Sequence, residues 1–209
     1  LSKILCGVDN MKKQIIRRIA NWISIITVVP LISLYVLTTL FLYQPVVFSH
    51  SSYWYFISLL FLTIIPITAY PLKKFIPKYR DNGRKGERRL AFIMGVSGQV
   101  LGIIVSFVFN APKGVKTVFL AYLFSGIILT FINAVIGHKA SGHAAGVSGP
   151  FALLLYFISF KVIYTYLILP AVFWSRLKLN RHDLKELFSG TAVGIMATIF
   201  ALIVHVKLL

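Results

Sequence analysis

The chain is poor in the residues on which most soluble enzymes rely. It holds one cysteine, Cys6, and five Asp or Glu among 209 residues. A single cysteine excludes an intrachain disulfide framework and any thiolate metal cluster. Five carboxylates, with no D-x-x-D or D-x-x-x-D spacing anywhere, argue against a two-metal site. Metal-dependent prenyltransferases and alcohol phosphotransferases, which need such motifs, are therefore weak candidates. What the chain has in excess is apolar and basic. The hydrophobic fraction is 58%, only 13% is charged, and mean hydropathy is +0.84, too apolar for a soluble domain of this size. Lys and Arg number 22, giving a formal net charge of +17. That balance alone could indicate nucleic acid, but a nucleic-acid partner is not expected of a chain whose uncharged runs are long enough to cross a bilayer.

A membrane span needs about 20 mostly apolar residues, since the hydrocarbon core is about 30 Å thick and a helix rises about 1.5 Å per residue. No charged residue occurs between Arg18 and Lys73. The polar, proline-containing stretch from Gln44 to Ser52 divides that run into spans at 20–43 and 53–72. Two more follow at 90–110 and 116–137, turning near Pro112 and Gly114, and a last one at 187–206. The first run is long and no small-residue cleavage site closes it, so no cleavable leader is expected. The stretch from His143 to Arg176 reads either as one long span or as two short helices turning near Ser159, Phe160 and Lys161.

Charge distinguishes the two readings. With two helices, segments 1–18, 73–89, 138–141 and 175–186 share one side and hold 18 of the 22 Lys and Arg. Lys113, Lys116, Lys161 and Lys207 fall opposite. Such segregation is the mark of a cytoplasmic face. The expectation is an all-α polytopic transmembrane bundle of six to seven spans in the cell membrane, forming a single domain over 1–209. Its basic face would be cytoplasmic, with N-terminal spans over 1–72 and a functional core over 81–200.

Three polar clusters border the spans: Asp81 to Arg89, Lys139 to His143, and Ser175-Arg176 with His182 and Glu186. Each is expected at or near a helix N-terminus, where free N–H groups favour an anion. Arg88, Arg89, Lys139 and Arg176 together would cradle a tetrahedral anion. His182 and Glu186, spaced i and i+4, can hydrogen-bond, leaving one imidazole nitrogen as nucleophile or base. His143 is placed to protonate a departing oxygen.

Ser175-Arg176 followed by five residues and His182 resembles the SR-x5-H element of the type-2 phosphatidic acid phosphatase superfamily. Ala140-Ser141-Gly142-His143 resembles its PSGH element. The family's first element, K-x6-RP, has its nearest counterpart in the segment ending Arg88-Arg89-Leu90. The resemblance spans 81–200 and implies a membrane-embedded, metal-independent lipid phosphate phosphatase with no cofactor. By that likeness His182 is the nucleophile, Glu186 stands where the family usually has Asp, and His143 is the proton donor. Arg176, Lys139, Ser141, Gly142 and one or more of Lys85, Arg88 and Arg89 hold the phosphoryl oxygens. The implied partners are a lipid phosphate substrate and membrane lipids. Compact loops favour an isoprenyl phosphate or diphosphate, with phosphatidic acid or phosphatidylglycerophosphate open.

Blander readings apply elsewhere. Lys12, Lys13, Arg17, Arg18, Lys73, Lys74 and Lys78 read as topological anchors on anionic headgroups. His50 and His205 read as surface histidines, His138 as an interfacial residue, and Lys161 as a snorkelling cation at the turn. The rival to an enzyme is a degenerate lipid-phosphate binder or small transporter. The orientation is testable by single cysteines introduced at Lys78 and Lys113 in a Cys6→Ser background. An impermeant thiol reagent applied to intact cells should label position 113 and not 78. Labelling at 78 alone would refute the cytoplasmic assignment.

Overall fold

In a computed structural model, residues 2–208 are described, with side-chain surroundings for 11–207. The side chain of Cys6 lies outside them. Every regular element among the described residues is helical. The order is α1 (Ser2–Ile26), α2 (Val29–Tyr43), a 3-10 turn at Pro45–Phe48, α3 (Ser52–Leu59) and α4 (Ile65–Leu72). There follow α5 (Pro77–Arg80), α6 (Gly83–Val108), α7 (Lys113–Phe131), α8 (Gly142–Phe157), α9 (Ile168–Lys178) and α10 (Leu184–Leu208). Four helical stretches are long and apolar enough to cross a membrane: Ser52–Leu72, Gly83–Val108, Lys113–Ile136 and Leu184–Lys207. A fifth candidate is the bent pair Met11–Ile26 and Val29–Tyr43.

That bend departs from the straight span anticipated over 20–43. The two helices meet at 54°. Pro30 explains the break. In a continuous helix its ring would strike the Ile26 carbonyl and its missing N–H would leave that carbonyl unbonded. Instead Val28 adopts an extended conformation and α2 restarts with Pro30 in its first turn, where a missing N–H costs nothing. Pro66 is absorbed differently, by a π turn at Leu60–Ile64 that joins α3 to α4. Gly98 of α6 packs on this turn so closely that a Cβ there would overlap the Phe61 carbonyl.

The ambiguous stretch folds back on itself. α8 runs for 16 residues, the chain reverses at Ile158–Ser159, and a 3-10 run at Phe160–Leu167 leads into the 11 residues of α9. The Tyr166 hydroxyl donates to the Ser148 carbonyl at 2.8 Å, binding the return leg to α8. α8 is enclosed by α2, α7, α9 and α10 and contributes Val147, Phe151, Leu153 and Leu154 to the buried core. Its seam with α10 is made of small residues. A Cβ on Gly194 would overlap Ser148 Oγ, and one on Gly190 would overlap the Ser141 carbonyl. Backbones this close are fastened by hydroxyls: Ser148 donates to the Thr191 carbonyl at 3.0 Å and Thr198 to that of Gly149 at 3.0 Å.

The hairpin brings the ends of α7, α9 and the starts of α6, α8 and α10 to one end of the bundle. At the other end, Thr117 and His205 Nδ1 lie 2.6 Å apart, so His205 ties α10 to α7 instead of standing free at the surface. His50 is exposed, as is Lys161 beside the reversal.

Candidate active site

The chain between α9 and α10 is shaped by a Schellman closure. The Arg181 N–H donates to the Arg176 carbonyl at 3.0 Å and the Asn180 N–H to that of Leu177 at 3.0 Å, with Asn180 left-handed at φ 49°. Asn tolerates that conformation better than most residues. The closure ends α9, redirects the chain, and brings the side chains of Arg176 and Arg181 onto the same neighbour. Arg176 thus occupies the last turn of α9 and not a helix N-terminus.

Immediately afterwards α10 opens with a capping box. Asp183 Oδ1 accepts the Glu186 N–H at 2.8 Å, and Glu186 Oε2 accepts the Asp183 N–H at 3.3 Å. Asp183 therefore fixes the helix start, and Glu186 is left to orient the imidazole. Its Oε2 lies 2.7 Å from His182 Nδ1 and 3.5 Å from Lys139 Nζ. An ionised carboxylate only accepts, so Nδ1 carries the proton and Nε2 keeps its lone pair. The His182 side chain is 3% exposed. Burial lowers its pKa below the ordinary value, while the hydrogen bond to Glu186 acts in the opposite direction.

The PSGH-like segment is fastened to the same helix. The Ser141 N–H donates to the Glu186 carbonyl at 2.8 Å, and Ser141 Oγ caps α8 by accepting the Ala144 N–H at 3.4 Å. Gly142 is the first residue of α8 and His143 the second. Lys139 Nζ also donates to the Arg181 carbonyl at 3.1 Å. His138 Nε2 lies 2.8 Å from Ser189 Oγ, a structural contact on the flank of the site.

The third wall comes from α1, which the motifs did not reach. Ser24 Oγ accepts Nη1 of Arg176 at 2.8 Å and Nη1 of Arg181 at 2.6 Å. Asn21 Oδ1 accepts Arg181 Nη2 at 3.1 Å. His143 Nε2 lies 3.3 Å from the Ser24 carbonyl, and Ser175 Oγ donates to that of Ala20 at 2.6 Å. Ser24 therefore links His143 to both arginines.

From α6, Arg84 and Arg88, one turn apart, face this cluster: burial first, and then these two charges, lower the Arg181 pKa, with Glu87 opposing. Lys85 and Arg89 lie about 100° further round the helix. All four side chains are exposed and make none of the cluster's hydrogen bonds. Glu87 pairs with Lys73 at 2.9 Å. The structure thus gathers His143, His182, Glu186, Arg176, Lys139, Ser141 and Gly142, with Arg88 near them and Lys85 and Arg89 on the adjoining strip of the same helix. Sequence reading missed Ser24, Asn21, Arg84 and Arg181. The available signals were the polar pair Asn21 and Ser24 in an apolar run, and the i, i+4 spacing of Arg84 and Arg88.

Among the described residues, no three His, Cys, Asp or Glu side chains converge as a metal site would require. The cluster is an imidazole whose Nε2 is left free, a carboxylate that orients it, a second imidazole, and a surplus of guanidinium. No protein-family model, curated protein or solved structure matches this chain.

The opposing influences on His182 give a signed prediction. In a ¹H–¹⁵N titration of the detergent-solubilised protein, His182 should protonate below pH 6.5, the ordinary histidine value. Glu186→Gln should move the transition lower still, because the carboxylate is what favours the charged form. The stability contributed by neutral His182 is complete above pH 6.5 and declines as pH falls from there through the folded-state pKa. A transition that rises in Glu186→Gln would contradict the dyad.

Proposed function

We propose that the chain is an integral membrane phosphatase acting on the phosphomonoester or diphosphate of a lipid through a phosphohistidine. The observation that carries the reading is the 2.7 Å contact between His182 Nδ1 and Glu186 Oε2 beside two arginines with unused donors. The Nε atoms of Arg176 and Arg181 are buried without a hydrogen-bond partner among the described residues. Buried donors of this kind call for an acceptor, and a phosphoryl group supplies several anionic ones.

In the first step Nε2 of His182 attacks phosphorus in line with the lipid oxygen. The P–O bond to the lipid breaks, and the leaving oxygen takes a proton from His143. Positive charge developing on the His182 ring is met by Glu186 across the Nδ1–H bond. In the second step His143, now a base, takes a proton from water as it attacks phosphorus. The P–N bond breaks, inorganic phosphate leaves, and His182 is restored. Arg176 and Arg181, with Arg88 and Arg84 beside them and Lys139 bracing Glu186, hold the non-bridging oxygens throughout. Fixed cations in a water-poor site act most strongly as charge redistributes in the transition state.

A lipid tail follows from the surroundings. Trp22, Leu184 and Phe188 are exposed near the site, and Phe188 packs edge-on against Phe173. That apolar rim suits an acyl or isoprenyl chain, and the compact loops favour isoprenyl phosphate or diphosphate over larger headgroups. Counting each leg of the α8–α9 hairpin as a crossing gives six to seven spans. The basic end of the bundle, with the site, then lies at the cytoplasmic face of the cell membrane.

Phosphate release from a panel of lipid phosphates, assayed in detergent with EDTA present, tests the reading. Wild type should turn over, His182→Ala should lose at least about a thousandfold, and His143→Ala about a hundredfold or more. Wild-type rates in His182→Ala would overturn it. Binding without release in the wild type would favour a lipid-phosphate binder or transporter.

A further inference from the structure

Inside the basic cluster a single neutral oxygen serves two cations. Ser24 Oγ receives Nη1 from both Arg176 and Arg181, and Ser24 is only 3% exposed. Guanidinium groups brought this close ordinarily share an anion, because a hydroxyl offers lone pairs but no compensating charge. The Nε atoms of the same two arginines stay buried and unpartnered among the described residues. Arg176 itself is 5% exposed, so water is a poor substitute. The arrangement is that of an oxyanion site in which one oxygen position is filled by the protein.

The oxygen comes from α1, an element outside the hairpin that carries the histidines. α1 is joined to the rest of the bundle through the 54° bend. α1 packs along α9 with Ala20 fully buried, and its hydrogen bonds there run from Ser175 to the Ala20 carbonyl, from Arg181 to Asn21, and through Ser24. Along its length Lys12, Lys13, Arg17 and Arg18 accompany exposed Ile15, Ile19 and Trp22. That is the pattern of a helix lying in the membrane interface.

We propose that Ser24 is an internal occupant of the phosphoryl site, its hydroxyl holding the place of one substrate oxygen until a phosphorylated headgroup takes both arginines from it. The proposal rests on the phosphoryl-site reading above and adds a determinant of specificity to it. In the exchange, two N–H donors pass from a neutral hydroxyl to an anionic oxygen, and no covalent bond changes. A dianionic phosphomonoester gains most from that exchange. A singly charged phosphodiester, the headgroup linkage of bulk membrane lipids, gains least. Ser24 therefore biases the site against the lipids that surround it.

The test is calorimetric titration of the purified full-length protein in detergent with sodium orthophosphate, run beside the turnover assay. Ser24→Ala should bind phosphate at least about fivefold more tightly, as expected when the two competing hydrogen bonds to that hydroxyl are removed. Ser24→Thr, which keeps the hydroxyl, should stay within about twofold of wild type. Ser24→Asp places a carboxylate between the arginines and should weaken phosphate by about tenfold or more. If Ser24→Ala does not fold, the loss in Ser24→Asp carries the test. An affinity in Ser24→Ala equal to or weaker than wild type makes Ser24 a scaffold residue and overturns the proposal. So does an undiminished affinity in Ser24→Asp. Wild-type protein that binds no phosphate overturns both this proposal and the phosphoryl site. Tightening in Ser24→Ala without any lipid turnover leaves the proposal standing and removes only the phosphatase reading.

Discussion

One carboxylate oxygen organises this molecule. Glu186 Oε2 orients His182, faces Lys139, and closes the capping box that starts α10. The same residue's carbonyl receives the Ser141 N–H, which fixes where α8 begins. A single residue at the third position of a helix thereby registers two helices and an imidazole, through its carbonyl and its carboxylate. In a chain with five carboxylates, that concentration of contacts on one of them is the most informative feature of the site.

The surplus of cations gives the site its character. Two unit charges about 4 Å apart repel by about 4 kcal/mol at an effective dielectric of about 20. Arg176 and Arg181 share one hydroxyl, and Arg84 and Arg88 add to the repulsion. Other parts of the fold hold this cluster together: the Schellman closure at Asn180, the glycine seam of α8 with α10, and the contacts from α1. A phosphoryl dianion would turn the same charges from mutual repulsion to common attraction. The fold thus carries a conflict between cations that an anionic ligand would resolve.

Much of this was legible in the sequence, for identifiable reasons. Uncharged runs bounded by Lys and Arg located the helical stretches at 53–72, 116–137 and 187–206 to within about three residues, because burying charge in lipid is costly. The one expected from 90 begins instead at Gly83, its first turns carrying the basic residues. The spacing of His182 and Glu186 announced their hydrogen bond, which depends only on local geometry. Hydropathy could not reveal the break at Thr27–Val28, since the residues on either side are equally apolar and only Pro30 marks it. The roles of Ser24 and Asn21 were hidden because they depend on how α1 packs against α9, a contact between residues some 150 apart. How Lys85, Arg88 and Arg89 are disposed around α6 depends on helix phase. Once α6 begins at Gly83, Arg88 pairs with Arg84 on the side toward Arg176, while Lys85 and Arg89 fall on the next strip of the surface.

The proposed phosphatase activity turns on covalent chemistry at one nitrogen. Rapid acid-free quenching during turnover of a ³²P-labelled lipid phosphate, followed by base-stable peptide mapping, would locate any phosphorylated side chain. Because Nδ1 is engaged by Glu186, the account predicts label on His182 at Nε2. Label on another residue or on Nδ1 of His182, or turnover with no labelled histidine, would contradict it.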